Sequence, residues 1–120
     1  MTPQRNLFMD NEIKTWLFDI FQAIEEIEGY FAEKPMQFKD YLSDTKTKRA
    51  VERDLEIIGE AVNRILKKDK SFQLENAQKI IGTRNRIIHG YDTISDDLIW
   101  SIVVNHLPKL KNEIKVVMEQ

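Results

Sequence analysis

Residues 46–68, KTKRAVERDLEIIGEAVNRILKK, decide the fold class. Val51, Leu55, Ile58, Val62 and Ile65 recur every three or four positions, the period of a helix with one buried side, and Ala50, Ile57 and Ala61 widen the arc beyond one stripe. Such a helix is expected to pack on two sides. Toward the N-terminus, residues 10–31 repeat the pattern through Ile13, Leu17, Ile20, Ile24, Ile27 and Phe31, with Trp16 and Phe21 beside them, giving a long first helix. Between the two, Pro35 suits the first turn of a short helix carrying Phe38, Tyr41 and Leu42, and residues 43–45 supply the break and the next cap. Toward the C-terminus, a fourth helix is expected from about Leu74 to His89, with Gly90 turning the chain after it in a left-handed conformation. Ser95 caps a fifth, which runs from Leu98 to Met118 and is expected to kink at Pro108. The expected fold is all-α: an antiparallel helical bundle of about five helices with short connections.

The 120 residues suit a single domain, 1–120, and a composition of 42% hydrophobic and 32% charged residues is enough for a core. There is no cysteine, which excludes disulfides, thiolate metal sites and thiol nucleophiles and suits a reducing cytoplasm. The first residues lack the apolar run of a secretory signal, and no segment approaches the roughly 18 apolar residues of a membrane span, so a soluble, cytoplasmic chain is expected. A net charge of −2 excludes a protein that coats nucleic acid by charge alone. Any contact with nucleic acid has to be local. From Asn76 to Tyr91 the charged residues are Lys79, Arg84 and Arg86, with no acid before Asp92.

On a wheel of about 100° per residue, Ala77, Ile80, Ile81, Ile87 and Ile88 fall within about 60° of one direction, and Arg84 points along their middle. A guanidinium cannot shed its charge, so within an apolar stripe it needs a partner or a wet cleft. A structural salt bridge to the third helix, with Glu56 or Glu60 as acceptor, is one reading; a functional cation is the other. Gln78, Asn85 and His89 share a neighbouring edge with Gly82. Asn85 and His89 are four apart, so the amide can orient the imidazole. A lone histidine at a helix end is also simply a favourable cation near the dipole's negative end. On the third helix Arg49, Arg53, Glu56, Glu60 and Asn63 form a polar stripe, read first as a solvated face; Arg53 and Glu60 are its candidates for supporting roles. His106 falls among Ile102, Val103 and Leu110 and reads as a packed or edge histidine. Two histidines on separate helices without carboxylates at ligand spacing make a poor metal site, so neither metal nor cofactor is expected. Trp16 and Phe21 read as core and not as platforms for stacking bases.

The run Arg84-Asn85-Arg86-Ile87-Ile88-His89-Gly90-Tyr91 resembles the Arg-Asn-x-x-x-His-x-Tyr pattern of the HepT-like toxin branch of the HEPN superfamily. The run from Arg53 to Val62 is similar to that branch's third helix, and the Pro108-containing helix to its last. The resemblance covers nearly the whole chain. It implies a metal-independent endoribonuclease toxin acting as a homodimer, with the Arg/His helices facing a shared cleft. It also implies a minimal nucleotidyltransferase antitoxin that silences the toxin by adding AMP to the motif's tyrosine, here Tyr91. Within that frame Arg84, His89 and Asn85 are the candidate catalytic residues, and Arg86, Lys79, Arg53 and Glu60 are candidates to bind RNA or support the site. RNA carries its own nucleophile, the 2′-hydroxyl, so cleavage needs a base for that proton and a cation for the charge gathering on phosphorus. His89 fits the first role and Arg84 the second. The leaving 5′-oxygen can take its proton from a second subunit's histidine or from water. Two other classes stay open: a non-catalytic HEPN module that binds a nucleotidyltransferase partner, and a helical adaptor in which Arg84 is structural only.

Overall fold

The first helix starts where Asp10 accepts hydrogen bonds from the backbone N–H groups of Glu12 and Ile13, at 2.7 and 3.3 Å. Those are two of the donors that every helix start leaves open. The computed structural model describes residues 10–33, 37–89 and 95–119, and of residues 88 and 89 the backbone alone. It contains α1 (Asn11–Tyr30), the short α2 (Phe38–Ser43), α3 (Thr45–Lys68) and α4 (Ala77–His89). A last rod follows, made of α5 (Asp96–Ser101), a wider π turn (Ile102–His106) and α6 (Leu107–Glu119). No strand occurs among the described residues. Over the described residues the fold is the expected all-α antiparallel bundle of five helices, the fifth being the segmented rod.

Caps fall where short polar side chains allow them. Asp44 accepts from the N–H of Thr47 at 3.0 Å to start α3, and Ser95 from that of Leu98 at 3.2 Å to start α5. Pro35 and Gly90 lie outside the described residues. Two boundaries depart from expectation. Helix α4 begins at Ala77 and not near Leu74, because the Ala77 N–H bonds back to the Leu74 carbonyl at 3.2 Å in a turn that buries Leu74 in the core. The irregularity expected at Pro108 lies just before it, in the π turn, where the Leu107 N–H reaches the Ile102 carbonyl five residues back. Proline has no N–H and its ring crowds the carbonyl four residues earlier, here that of Val104; one wider turn relieves both without ending the rod.

Helix α3 is the central element, with its two most extensive contacts to α1 and α4. Val51, Leu55, Ile58, Val62 and Ile65 are buried to within 1% of completely. Both flanks of the broad arc are thus covered within one chain, as the two-sided reading required. Of its apolar residues only Ile57 remains large and exposed. Ion pairs tie the ends: Lys68 pairs with Asp10 at 2.9 Å and with Glu12, which sets α1 and α3 antiparallel, and Lys48 holds Asp96 at 3.0 Å. Lys111 of α6 reaches Glu25 and Glu28 of α1 at 3.2 and 2.7 Å. One end of the bundle is closed by Phe31, Phe38 and Tyr41 around Trp100, with ring centroids 5.2–5.9 Å from the indole.

Candidate functional site

Arg84 leaves α4 on the side that packs against α3, next to the buried Ile80. Its side chain is only 21% exposed, and its charge is met by Glu60 of α3, which accepts from Nη2. The expected partner on the third helix is therefore Glu60. Nη1 donates to Asn85 Oδ1 at 2.9 Å, while Nε is buried with no hydrogen-bond partner among the described residues. The other oxygen of Glu60 accepts from Arg64 at 2.9 Å. A chain of alternating charge, Arg64–Glu60–Arg84, thus crosses from α3 to α4 and ends on an exposed amide.

The carbonyl oxygen of Asn85 accepts from Arg84; the contact expected between its amide and His89 falls on a side chain outside the described residues. His89 is the last residue of α4, five residues from Arg84 along the same helix. Its side chain, and Tyr91 entirely, lie outside the described residues. Arg53, Glu56 and Glu60 are not a uniformly solvated face: with Trp16, Asp19 and Ile57 they line a groove of about 310 Å³ between α1 and α3. Glu60 joins that groove to Arg84. On the other side of α4, Lys79 and Arg86 flank a second groove of about 220 Å³ over Gly82 and Thr83. Neither cation pairs with an acid among the described residues. Thr83 is buried and spends its hydroxyl on the Lys79 carbonyl at 3.0 Å, inside the helix.

His106 is a half-buried edge histidine as expected, with Nδ1 2.8 Å from Asn76 Oδ1. Burial lowers its pKa, helped by Lys79 and Lys109 nearby. Among the described residues no three His, Cys, Asp or Glu side chains gather as a metal site would require. No helix of the described residues is long and apolar enough to cross a membrane.

The model of the HepT-like family, described as ribonuclease HepT-like, matches residues 20–117. This chain belongs to the HepT-like ribonuclease family. The HepT-like chain is 37% identical over 106 residues to a "Probable ribonuclease HepT" of Thermococcus cleftensis, covering 88% of this chain and 94% of the relative. It is 32% identical over 108 residues to "Putative RNase MJ1380" of Methanocaldococcus jannaschii, covering 88% of this chain and 96% of that one. No solved structure matches.

Two features of the HepT-like chain went unseen in the sequence. Asp54 is 3% exposed in the core, where Tyr30 of α1 donates to its Oδ2 at 2.7 Å. Burial, with the nearby Glu26, pushes its carboxyl up to about 6 against the opposing effect of the Tyr30 bond, and the same burial pushes the Tyr30 phenol up to about 12. A wheel could have found it, since 54 lies among Val51, Ile58 and Ala61, inside the apolar arc. The second is Gly59, buried beneath Arg84. A glycine in mid-helix was the available signal; the partner packed against it is not visible in the sequence.

Proposed function

We propose that this HepT-like ribonuclease is a metal-independent endoribonuclease toxin in which Arg84 and His89 act on the scissile phosphodiester. The single observation that carries the reading is the state of Arg84: a guanidinium held at the edge of the core by Glu60 and Asn85, on the helix that ends in His89. His89 takes the proton from the 2′-hydroxyl, the 2′-oxygen forms a bond to phosphorus, and the bond to the 5′-oxygen breaks, leaving a cyclic phosphate. Arg84 stabilises the negative charge on the phosphoryl oxygens. The proton for the leaving oxygen comes from water or from a second subunit's histidine across a dimer cleft. Asn85 keeps Arg84 in place. Arg86 and Lys79, cations with no acidic partner among the described residues, hold flanking phosphates, and Arg53 with Glu60 supports the cleft from α3.

Regulation follows the same chemistry. Transfer of AMP to the Tyr91 hydroxyl, two residues beyond His89, would place a phosphodiester anion and an adenosine beside the cation that grips RNA. The partner is a minimal nucleotidyltransferase antitoxin. The test is cleavage of RNA in EDTA by purified protein, with His89→Ala as control: wild-type cleavage lost in the folded variant supports the reading. Undiminished activity of the variant removes it. A non-catalytic module would cleave in neither form and would not arrest growth when expressed alone. Intact mass after co-expression with the transferase should show one AMP on the wild type and none on Tyr91→Phe.

A further inference from the structure

The contact beneath Arg84 is closer than two side chains allow. An ideal Cβ built on Gly59 falls 2.3 Å from Arg84 Cβ, 2.8 Å from its Cγ and 3.2 Å from the Ile80 carbonyl oxygen. The opposing atoms are the root of the arginine and the backbone, neither of which can swing aside as the tip of a long chain could. At Gly29 and Gly82 the same added atom meets nothing within 4 Å. Gly59 lies in the middle of the 24 residues of α3, where glycine disfavours the helix, between the buried Ile58 and Ala61. The gap at 59 is where the stem of Arg84 lies. The adjacent Glu60 meets the head of that same arginine, and Arg64, one turn on, fixes Glu60.

We propose that Gly59 is a positioning residue for the cleavage reaction: it lets α4 close onto α3 at Arg84, and this close approach sets where the guanidinium emerges between Glu60 and Asn85. The inference rests on the reading of Arg84 as the cation that stabilises the phosphoryl charge. A methyl group at 59 must push the two helices apart by about an ångström to reach ordinary contact, and a displacement of that size at a reacting centre costs on the order of 100-fold in rate.

The experiment uses the full chain as wild type, Gly59→Ala, Arg84→Gly, the double variant and Arg84→Ala, with Val103→Ala, a buried position of the last rod beside Ile24 and Leu107, as a core control. Denaturant unfolding at one protein concentration gives the coupling. Gly59→Ala should lower the folding constant at least tenfold, and at least fivefold less so in the Arg84→Gly background, where the opposing Cβ and Cγ are gone. Equal losses in both backgrounds overturn the proposal. If Gly59→Ala fails to fold, the double variant should be recovered folded; failure of both overturns it equally. Kinetics give the function: folded Gly59→Ala should lose roughly 100-fold in kcat with the KM for RNA within about threefold. Val103→Ala, destabilised in the rod against α1, should keep its kcat. Wild-type kcat in Gly59→Ala, or the same loss in Val103→Ala, overturns the proposal. Cleavage by Arg84→Ala at the wild-type rate would bring down the reading of Arg84 and the catalytic half of this inference with it, while the stability coupling still decides whether residue 59 seats that side chain.

Discussion

Helix α3 carries two carboxylates, six residues apart, that do opposite things. Asp54 faces α1, is 3% exposed and accepts a hydrogen bond from a neutral phenol; Glu60 faces α4, has a side chain 38% exposed and lies between two guanidiniums. Burial makes the charge of Asp54 unfavourable and raises its carboxyl to about 6. Glu60 keeps cationic company at the open end of a groove. The difference teaches that a carboxylate within a helix bundle is read by what it faces. Against a phenol in the core it acts as a structural polar group; against a partly wet arginine it is a counter-charge that, in the proposed reaction, would release the cation to an incoming phosphate.

The largest expected effect tests whether the Glu60 side alone is chemical. Arg84→Ala should reduce RNA cleavage by roughly 100- to 1000-fold, the usual loss when one preorganised charge-stabilising donor is removed. Glu60→Ala, which frees the head of Arg84 without deleting it, should lose less, about tenfold. Asp54→Asn should cleave like the wild type. Single-turnover cleavage of a fluorescent RNA measures all three, and a large loss in Asp54→Asn would break the distinction between the two positions.

Next comes stability, where the order reverses. Asp54→Ala strands the Tyr30 hydroxyl beside the core and should destabilise by about 1–3 kcal/mol in urea unfolding, with little change in kcat of the folded fraction. Acid should sharpen the contrast further. The Asp54 carboxyl titrates at about 6 when folded and near 4 when unfolded, so the folded state holds this proton more tightly. Its contribution is fully present below about pH 4 and is lost as pH rises through about 6, a change on the order of 3 kcal/mol at about 1.4 kcal/mol per pKa unit. Asp54→Asn, permanently uncharged, should abolish that slope in a series of unfolding curves from pH 4 to 7. A slope unchanged in the variant would mean that other groups carry it.

How much of this was legible in the sequence follows from the range of each interaction. Helix spans were readable because apolar periodicity is local, and Val51, Leu55, Ile58, Val62 and Ile65 all came out buried. Arg84 was readable as anomalous because a cation interrupts a local apolar stripe, and the search for its partner could be narrowed to Glu56 or Glu60. Which of the two depends on how α4 lies along α3, a relation no wheel contains. The place of Asp54 inside the apolar arc was legible on a wheel, but its partner Tyr30, 24 residues away, was not. Gly59 was hidden for the same reason: its role exists only against the root of Arg84. The π turn shows a third limit, since Pro108 announces that a helix must yield but not which turn will do so.

The smallest effect separates the two carboxylates by their response to salt. Removing Arg84 from a fully buried pair would leave Glu60 stranded, at about 3–5 kcal/mol. This pair is not of that kind: the side chains are 21% and 38% exposed, and Glu60 retains Arg64 when Arg84 is gone. Water and the remaining guanidinium together screen what is left, so Arg84→Ala should lower stability by no more than about 1 kcal/mol. Because the interaction is between partly hydrated charges, the difference between wild type and Glu60→Gln should shrink as sodium chloride rises from about 0.05 M to 1 M, where the screening length falls to about 3 Å. The Tyr30–Asp54 bond pairs a neutral donor with an enclosed acceptor, and the stability difference between wild type and Tyr30→Phe should stay nearly constant over the same range. Parallel unfolding titrations at the two salt concentrations measure both differences. A Glu60→Gln difference that ignores salt would mean that the Arg64–Glu60–Arg84 chain is as closed as the core beneath Asp54, and that Glu60 is not free to release its arginine to a phosphate.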